Sequence, residues 1–310
     1  MGIGRMKVTD HSPYLQLFML IVFAVLGAIV FSAIAFLICF VMYGFDLFNA
    51  YNDFVSGDIR FLNGLKIFQM VSTMGLFIVP PLLLSCFNGK QLNVFYGFKK
   101  AEADLLLVIL LLVIFSMPLV EWTALLNQKM TLPGFLKPLE AWMREKEDAS
   151  MELTVALLTV HKPWDIFVNL SMIALLPAIG EELFFRGGMQ QIFIRIFKNT
   201  HIGIWVTAFI FSAIHVQFFG FLPRLFLGAA FGYLYVWSGS LWYPMLAHFI
   251  NNGYVVAVSF IMQKHNLPLN STEPTISLQW YGYIISFVLT ITLFEYFKNK
   301  TAKTNGEQLG

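Results

Sequence analysis

Charge is scarce in this sequence. Asp, Glu, Lys and Arg make up 12% of the 310 residues, while hydrophobic residues make up 58% and the mean hydropathy is +0.70. That balance excludes an ordinary soluble domain, in which about a quarter of the residues are charged. A net charge of only +2 implies no nucleic-acid partner. Cysteine is nearly absent. Cys39 and Cys86 offer no zinc-ribbon spacing, and they fall near opposite ends of the first two apolar segments, so they read as packed thiols that cannot bridge. There is no low-complexity run and no internal repeat, which counts against a transporter built from two related halves. Several hydrolase signatures are missing too. No H-E-x-x-H occurs, no aspartate pair lies within the apolar segments, and the serine of "VWSGS", Ser238, lacks the preceding glycine of a nucleophile turn.

What the sequence does have is apolar length. Runs near residues 14–43, 67–87, 104–127, 164–186, 202–220, 222–238, 241–263 and 276–297 approach or exceed the roughly 20 residues needed to cross a bilayer. The fold class expected is therefore all-α, a polytopic integral membrane protein of about eight transmembrane helices. The fourth run extends as an amphipathic stretch to about Lys198. The first follows Arg5 and Lys7 and continues past Ala33-Ile34-Ala35 to Tyr43, too long for a cleaved leader, so it reads as an uncleaved anchor. Lys90, Lys99, Lys100, Arg195, Lys198, Lys298, Lys300 and Lys303 join Arg5 and Lys7 on one side, against Asp46, Asp53, Asp58 and the mixed 137–152 segment on the other. The positive-inside rule then predicts a multi-pass cell-membrane protein with both termini cytoplasmic. The expected organisation is helices 1–3 over residues 1–127, an extramembrane amphipathic segment over 128–163, a core over 164–263, and a last helix with a tail over 264–310. The segment "LEAWMREKEDASMELTVALL" reads as a helix lying at the outer interface.

Against that background, "AIGEELFFRGG" sets Glu181, Glu182 and Arg186 inside a span. An ionised side chain at the bilayer centre costs about 2.5–3.5 kcal/mol on the lenient insertion scale, so such groups should face the bundle interior or a wet cavity. Glu182 and Arg186 are four residues apart and can pair on one helical face; Glu181 points about 100° away and lacks that partner. "FIFSAIHVQFF" adds His215, and "LAHFINNGY" adds His248 and Asn252 on one face, with Asn251 beside them. A carboxylate in a dry site gains proton affinity and can act as a general base on water. A histidine can share that proton, and a second histidine with an amide can donate to an oxyanion. This set of groups suits peptide hydrolysis by an activated water. Because His248 lies about 10 Å by helix rise from the start of its span, access from the side of the termini is expected.

"GEELFFRG", "FSAIH" and "HFINN" match, in order, the E-E-x-x-x-R, F-x-x-x-H and H-x-x-x-N motifs of the CPBP family, the CAAX-protease and bacteriocin-processing membrane proteins also called the Abi family. The resemblance covers about residues 164–262, including the small-residue face of Gly228 and Gly232. It implies an intramembrane endopeptidase acting on a membrane-associated peptide or protein. Glu181 would be the general base with His215 as its partner on the water, His248 and Asn252 the oxyanion pair, and Glu182 and Arg186 the groups that orient the site. The cofactor stays open between none and a divalent metal such as Zn, for which Glu181, His215 and His248 are the candidate ligands. A non-catalytic immunity or helper protein on the same fold and a proton-coupled transporter remain as alternatives.

Overall fold

The computed structural model describes residues 11–269 and 278–305. Arg5 and Lys7, two of the charges used for orientation, lie outside them. The described chain is helical throughout, with connections and no strand. Seven helices are long and apolar enough to cross a membrane, which makes this an all-α polytopic membrane protein.

The chain enters α1, Pro13–Tyr43, with Ser12 accepting the Leu15 N–H and proline in the first turn, both ordinary helix-start chemistry. Two short helices, α2 (Asp46–Asn49) and α3 (Tyr51–Ser56), lead into α4, Leu62–Phe87. Gly27 of α1 and Gly75 of α4 meet backbone to backbone: a Cβ built on Gly27 would fall 2.1 Å from the Gly75 carbonyl oxygen. Only glycine permits that approach. Short α5 (Leu92–Tyr96) precedes α6 (Ala103–Gln128). Asn127, near the end of α6, donates to the Phe218 carbonyl and accepts from the Leu222 N–H.

The 128–163 segment forms α7, Lys137–Leu158. Its start is held by Glu140, whose carboxylate accepts from the Leu132 N–H, Lys137 and Arg144. Its end is held by Gln263, which accepts from the Val160 N–H and donates to the Leu158 carbonyl, and by Asn169, which donates to the same carbonyl. Buried Lys66 of α4 donates to Asn169 at 2.7 Å. These bonds seat α7 across one end of the bundle, opposite the end where His11 stacks on Phe87 and Arg195 bonds Gln16.

The fourth predicted span and its amphipathic extension form a single helix, α8, Asp165–Phe197. It widens into π-helical turns at Leu170–Leu175 and Glu182–Gln190, a deviation common at functional sites. The fifth predicted span is shorter than the sequence suggested. α9 covers only Thr200–Ala213, about 21 Å by helix rise against a hydrocarbon core of about 30 Å. Beyond it Val216 adopts a positive φ of 53°, and the chain returns as α10, Phe221–Ser238. The "HVQFFG" stretch is apolar enough to mimic helix, but its backbone turns. α11 (Trp242–Lys264) and α12 (Trp280–Asn305) complete the bundle.

Neither cysteine is disulfide-bonded, and the reading of both as packed thiols holds for one. Cys39 is buried and donates to the Gly64 carbonyl, whereas Cys86 is exposed, because the last turn of α4 leaves its outer face uncovered.

Candidate active site

Glu182 and Arg186 are both buried, at 0% and 1% exposure, and are paired at 2.7 Å across one turn of α8. Two ionised groups in such a place need partners for their remaining polar atoms, and the need is met only in part, since Glu182 Oε2 and Arg186 Nε have no hydrogen-bond partner among the described residues. Arg186 donates a second bond to the Gly228 carbonyl of α10, and its guanidinium lies over the rings of Phe211, at 4.6 Å, and Phe231, at 5.5 Å. One turn on, Gln190 donates to the Gly232 carbonyl. Arg186/Gln190 and Gly228/Gly232 thus share one i, i+4 register, and α10 can approach because those two positions carry no side chain. A Cβ on Gly232 would fall 2.6 Å from Gln190 Oε1. The sequence reading missed Gln190, although the matched spacing was there to be seen.

Glu182 Oε1 also faces His248 Nδ1 at 2.8 Å. A carboxylate already accepting from arginine can only accept again, so Nδ1 carries the proton. In a neutral ring the opposite nitrogen, Nε2, then has a lone pair. That nitrogen stands 3.8 Å from Glu181 Oε2, too far for a direct hydrogen bond. Phe231 stacks on the imidazole at 5.5 Å, which leaves it little freedom to tilt. Glu181 makes no other polar contact among the described residues, and its side chain, 12% exposed, opens into a cavity of about 500 Å³.

His215 and Asn252 line the same cavity. His215 Nδ1 lies 2.8 Å from the Phe211 carbonyl, and a carbonyl cannot donate, so here too Nε2 holds the lone pair of the neutral ring. Asn252 donates to the Ile173 carbonyl at 3.0 Å. That carbonyl lies four residues before Pro177, which has no N–H to offer it, so the proline creates the acceptor that the asparagine fills. The four residues named from the motifs therefore share one cavity. Glu181 approaches His248, and no such approach to His215 occurs.

Among the described residues no group of three His, Cys, Asp or Glu side chains stands in a metal-holding arrangement. Glu181, His215 and His248 do not form such a set. Of the two histidines only His248 lies near Glu181.

The cavity runs away from the expected entrance. Gln69, Ser150, Leu153, Thr154, Leu157, Gln217 and Arg224 continue its wall toward α7. On the other side of His248, buried Tyr96, Leu183, Tyr235, Leu241 and Met245 pack into a closed cluster. Depth along a helix, which motivated the expectation of access from the termini, does not register what fills the space beyond the residue. α7 itself contributes to the rim: Gln217 donates to Ser150, the Phe219 N–H bonds Glu147, and Arg144 lies over the Phe219 ring.

Comparison with known proteins agrees with the motifs. Residues 163–254 match the family model described as Type II CAAX prenyl endopeptidase Rce1-like. An uncharacterised protein of Bacillus subtilis, YpbD, is 35% identical over 86 residues, covering 26% of this chain and 41% of the relative. The match thus spans well under half of that relative's length. No solved structure matches. All the motif residues fall inside the matched stretch, and residues 163–254 of this chain are similar to the Rce1-like family.

Proposed function

We propose that this chain is an intramembrane endopeptidase of the CAAX type, hydrolysing a peptide bond of a membrane-associated protein or peptide with a water held by Glu181 and a histidine. The observation that carries this reading is the 3.8 Å separation of Glu181 Oε2 and His248 Nε2 on the cavity wall, a span that one water can bridge by donating to both. The water's own lone pairs then face the cavity, where a substrate carbonyl would lie. As the water attacks, Glu181 takes one proton, and the leaving amine must receive one when the C–N bond breaks. The histidines supply the relay: His248 is oriented for it by Glu182, and His215 offers its free nitrogen from the same wall. Asn252 keeps a second N–H beyond the one given to Ile173, which suits it to the developing oxyanion. Glu182 and Arg186 act through His248 and the α8–α10 contact. The geometry favours His248 over the His215 expected from the motifs as the partner of Glu181 on the water, and no step is routed through a metal.

Entry is from the α7 face. With both termini cytoplasmic, as the charge asymmetry supports, that face is the outer one, and it receives peptides whose cleavage site emerges from the bilayer there. The test is reconstitution in liposomes with lipidated and transmembrane peptides, following cleavage and proton uptake together. General-base assistance contributes about 10²–10⁴-fold, so Glu181→Gln should lose cleavage by at least about a hundredfold, without any flux in the parent protein. Normal cleavage by Glu181→Gln would refute the assignment of the base. Glu181-dependent flux without cleavage would establish the transporter alternative.

A further inference from the structure

A second large cavity opens sideways and shares no lining residue with the candidate active site. It holds about 480 Å³ and lies between the start of α6, the middle of α8 and the start of α11. Leu106, Leu175, Ile179, Leu246 and Phe249 wall it, and buried Ala178 and Met245 form its floor. The small side chains of Ala101 and Ala178 leave the space open. Those walls cannot fix a water, which needs about 2–4 polar partners. Left unfilled, an apolar hollow forfeits the dispersion contacts of its lining. Exposed Leu175 and Trp242 stand at its edge, and what a bilayer offers to fill it from that side is hydrocarbon chain.

Depth and charge narrow the occupant. Trp242 and Phe249 are seven residues apart on α11, about 10 Å by helix rise, against about 15 Å for half of a hydrocarbon core. The cavity therefore runs through most of one leaflet, the one on the side of the termini. At its mouth Trp242 meets Phe98 edge to face at 5.4 Å, the kind of aromatic residue that marks a membrane–water interface. Lys100 stands at the same mouth, with no hydrogen bond or ion pair among the described residues. It also borders a polar cavity of about 60 Å³ with Lys99, Glu102, Ser240 and Tyr243. Two lysines against one glutamate leave a positive excess there, and neighbouring Asp104 is already paired with Lys300.

We infer that this cavity binds one glycerophospholipid of the leaflet on the side of the termini, with an acyl chain against Leu106, Ile179 and Phe249 and the phosphate at Lys100. An apolar slot with a cationic mouth matches the two ends of that molecule, and basic pockets between membrane helices are recognised places for phospholipid headgroups. The lysine acts as a point charge on the phosphate. The floor belongs to the α-helical stretch Leu176–Glu181, which lies between the two π-helical segments of α8. A bound chain thus braces from outside the turn that carries Glu181.

The test reads binding, so it stands apart from whether cleavage is detected. The full chain, delipidated in mild detergent, is mixed in turn with dioleoylphosphatidylglycerol, dioleoylphosphatidylethanolamine and dioleoylglycerol, which has the same chains and no phosphate. Bound lipid is counted by native mass spectrometry. One molecule of either phospholipid should be retained, about tenfold or more over the diacylglycerol, as a charge-assisted contact requires. Lys100→Gln should bring the phospholipids down to the diacylglycerol level. Lys90→Gln, at the same end of the bundle and outside the cavity, should not. Ala101→Phe, which fills the mouth, should lower retention of all three. Hydrogen exchange over residues 176–181 should slow when phosphatidylglycerol binds the parent protein and stay unchanged in Lys100→Gln. Equal retention of diacylglycerol and phospholipids, equal losses in Lys90→Gln and Lys100→Gln, or a dimer mass in place of lipid adducts would overturn the site. Exchange unmoved by bound lipid would overturn the bracing of α8.

Discussion

Replacing Arg186 with methionine tests whether the buried ion pair is a structural necessity. Methionine keeps most of the volume, so the change removes mainly charge and hydrogen bonds. It deletes the 2.7 Å bond to Glu182, the 3.2 Å bond to the Gly228 carbonyl and the stacking on Phe211 and Phe231. It also leaves Glu182, at 0% exposure, with His248 as its remaining recorded partner. Removing one member of a buried pair typically costs about 3–5 kcal/mol, two to four powers of ten in the folded population. A second substitution checks the origin of the loss. Glu182→Gln in the same chain removes the stranded charge, so the double variant should be more stable than the sum of the single losses by about 2 kcal/mol, as expected for residues in direct contact. The assay is equilibrium unfolding in mixed micelles titrated with a denaturing detergent, followed by tryptophan fluorescence. An Arg186→Met protein within about 0.5 kcal/mol of the parent, or strict additivity in the double variant, would refute the argument.

Three further outcomes follow from the packing and the charges. Gly232→Ala should destabilise the α8–α10 contact by about 1–3 kcal/mol, since the new methyl meets Gln190 Oε1 at 2.6 Å and Ile204 Cγ2 at 2.9 Å; an unchanged unfolding midpoint would show that the helices can separate freely. Lys137, the Leu132 N–H and Arg144 hold the Glu140 carboxyl down to about 2, below its ordinary 4.5. A depressed value stabilises the fold above the ordinary one, so the anchoring of α7 should be complete above about pH 4.5 and lost as pH falls toward 2. Hydrogen exchange at the start of α7 should follow that window and cease to do so in Glu140→Gln. Exposed Cys86 should react with a membrane-impermeant maleimide from the side of the termini while buried Cys39 stays protected until unfolding; labelling of Cys86 only in inverted vesicles would establish that side as cytoplasmic, and labelling only in intact cells would reverse the orientation.

The sequence by itself determined the class of this protein, because each helix must satisfy its backbone internally in lipid and so must be written as a long apolar run. It also singled out the polar groups of the candidate site, since ionisable residues inside such runs stand out against the expense of burying them. Glu182 with Arg186 was legible because an i, i+4 pair lies within one helix. The single α8 was legible in outline, but its π-helical turns were not, because they answer to Pro177 and to the helices that press on it. Other features depended on contacts between segments that periodicity does not report. Glu181 facing His248, Asn252 serving the carbonyl before Pro177, and the register of Arg186 and Gln190 on Gly228 and Gly232 are each set by how two helices pack. α9 ends at Ala213 because the backbone turns at Val216, although the residues beyond remain apolar. The direction of the cavity was decided by volume: Tyr96, Tyr235, Leu241 and Met245 close one side of His248, while Gln217, Arg224 and α7 leave the other side open. Filling space is a property of side chains brought together from distant parts of the chain, and only the folded structure could fix it.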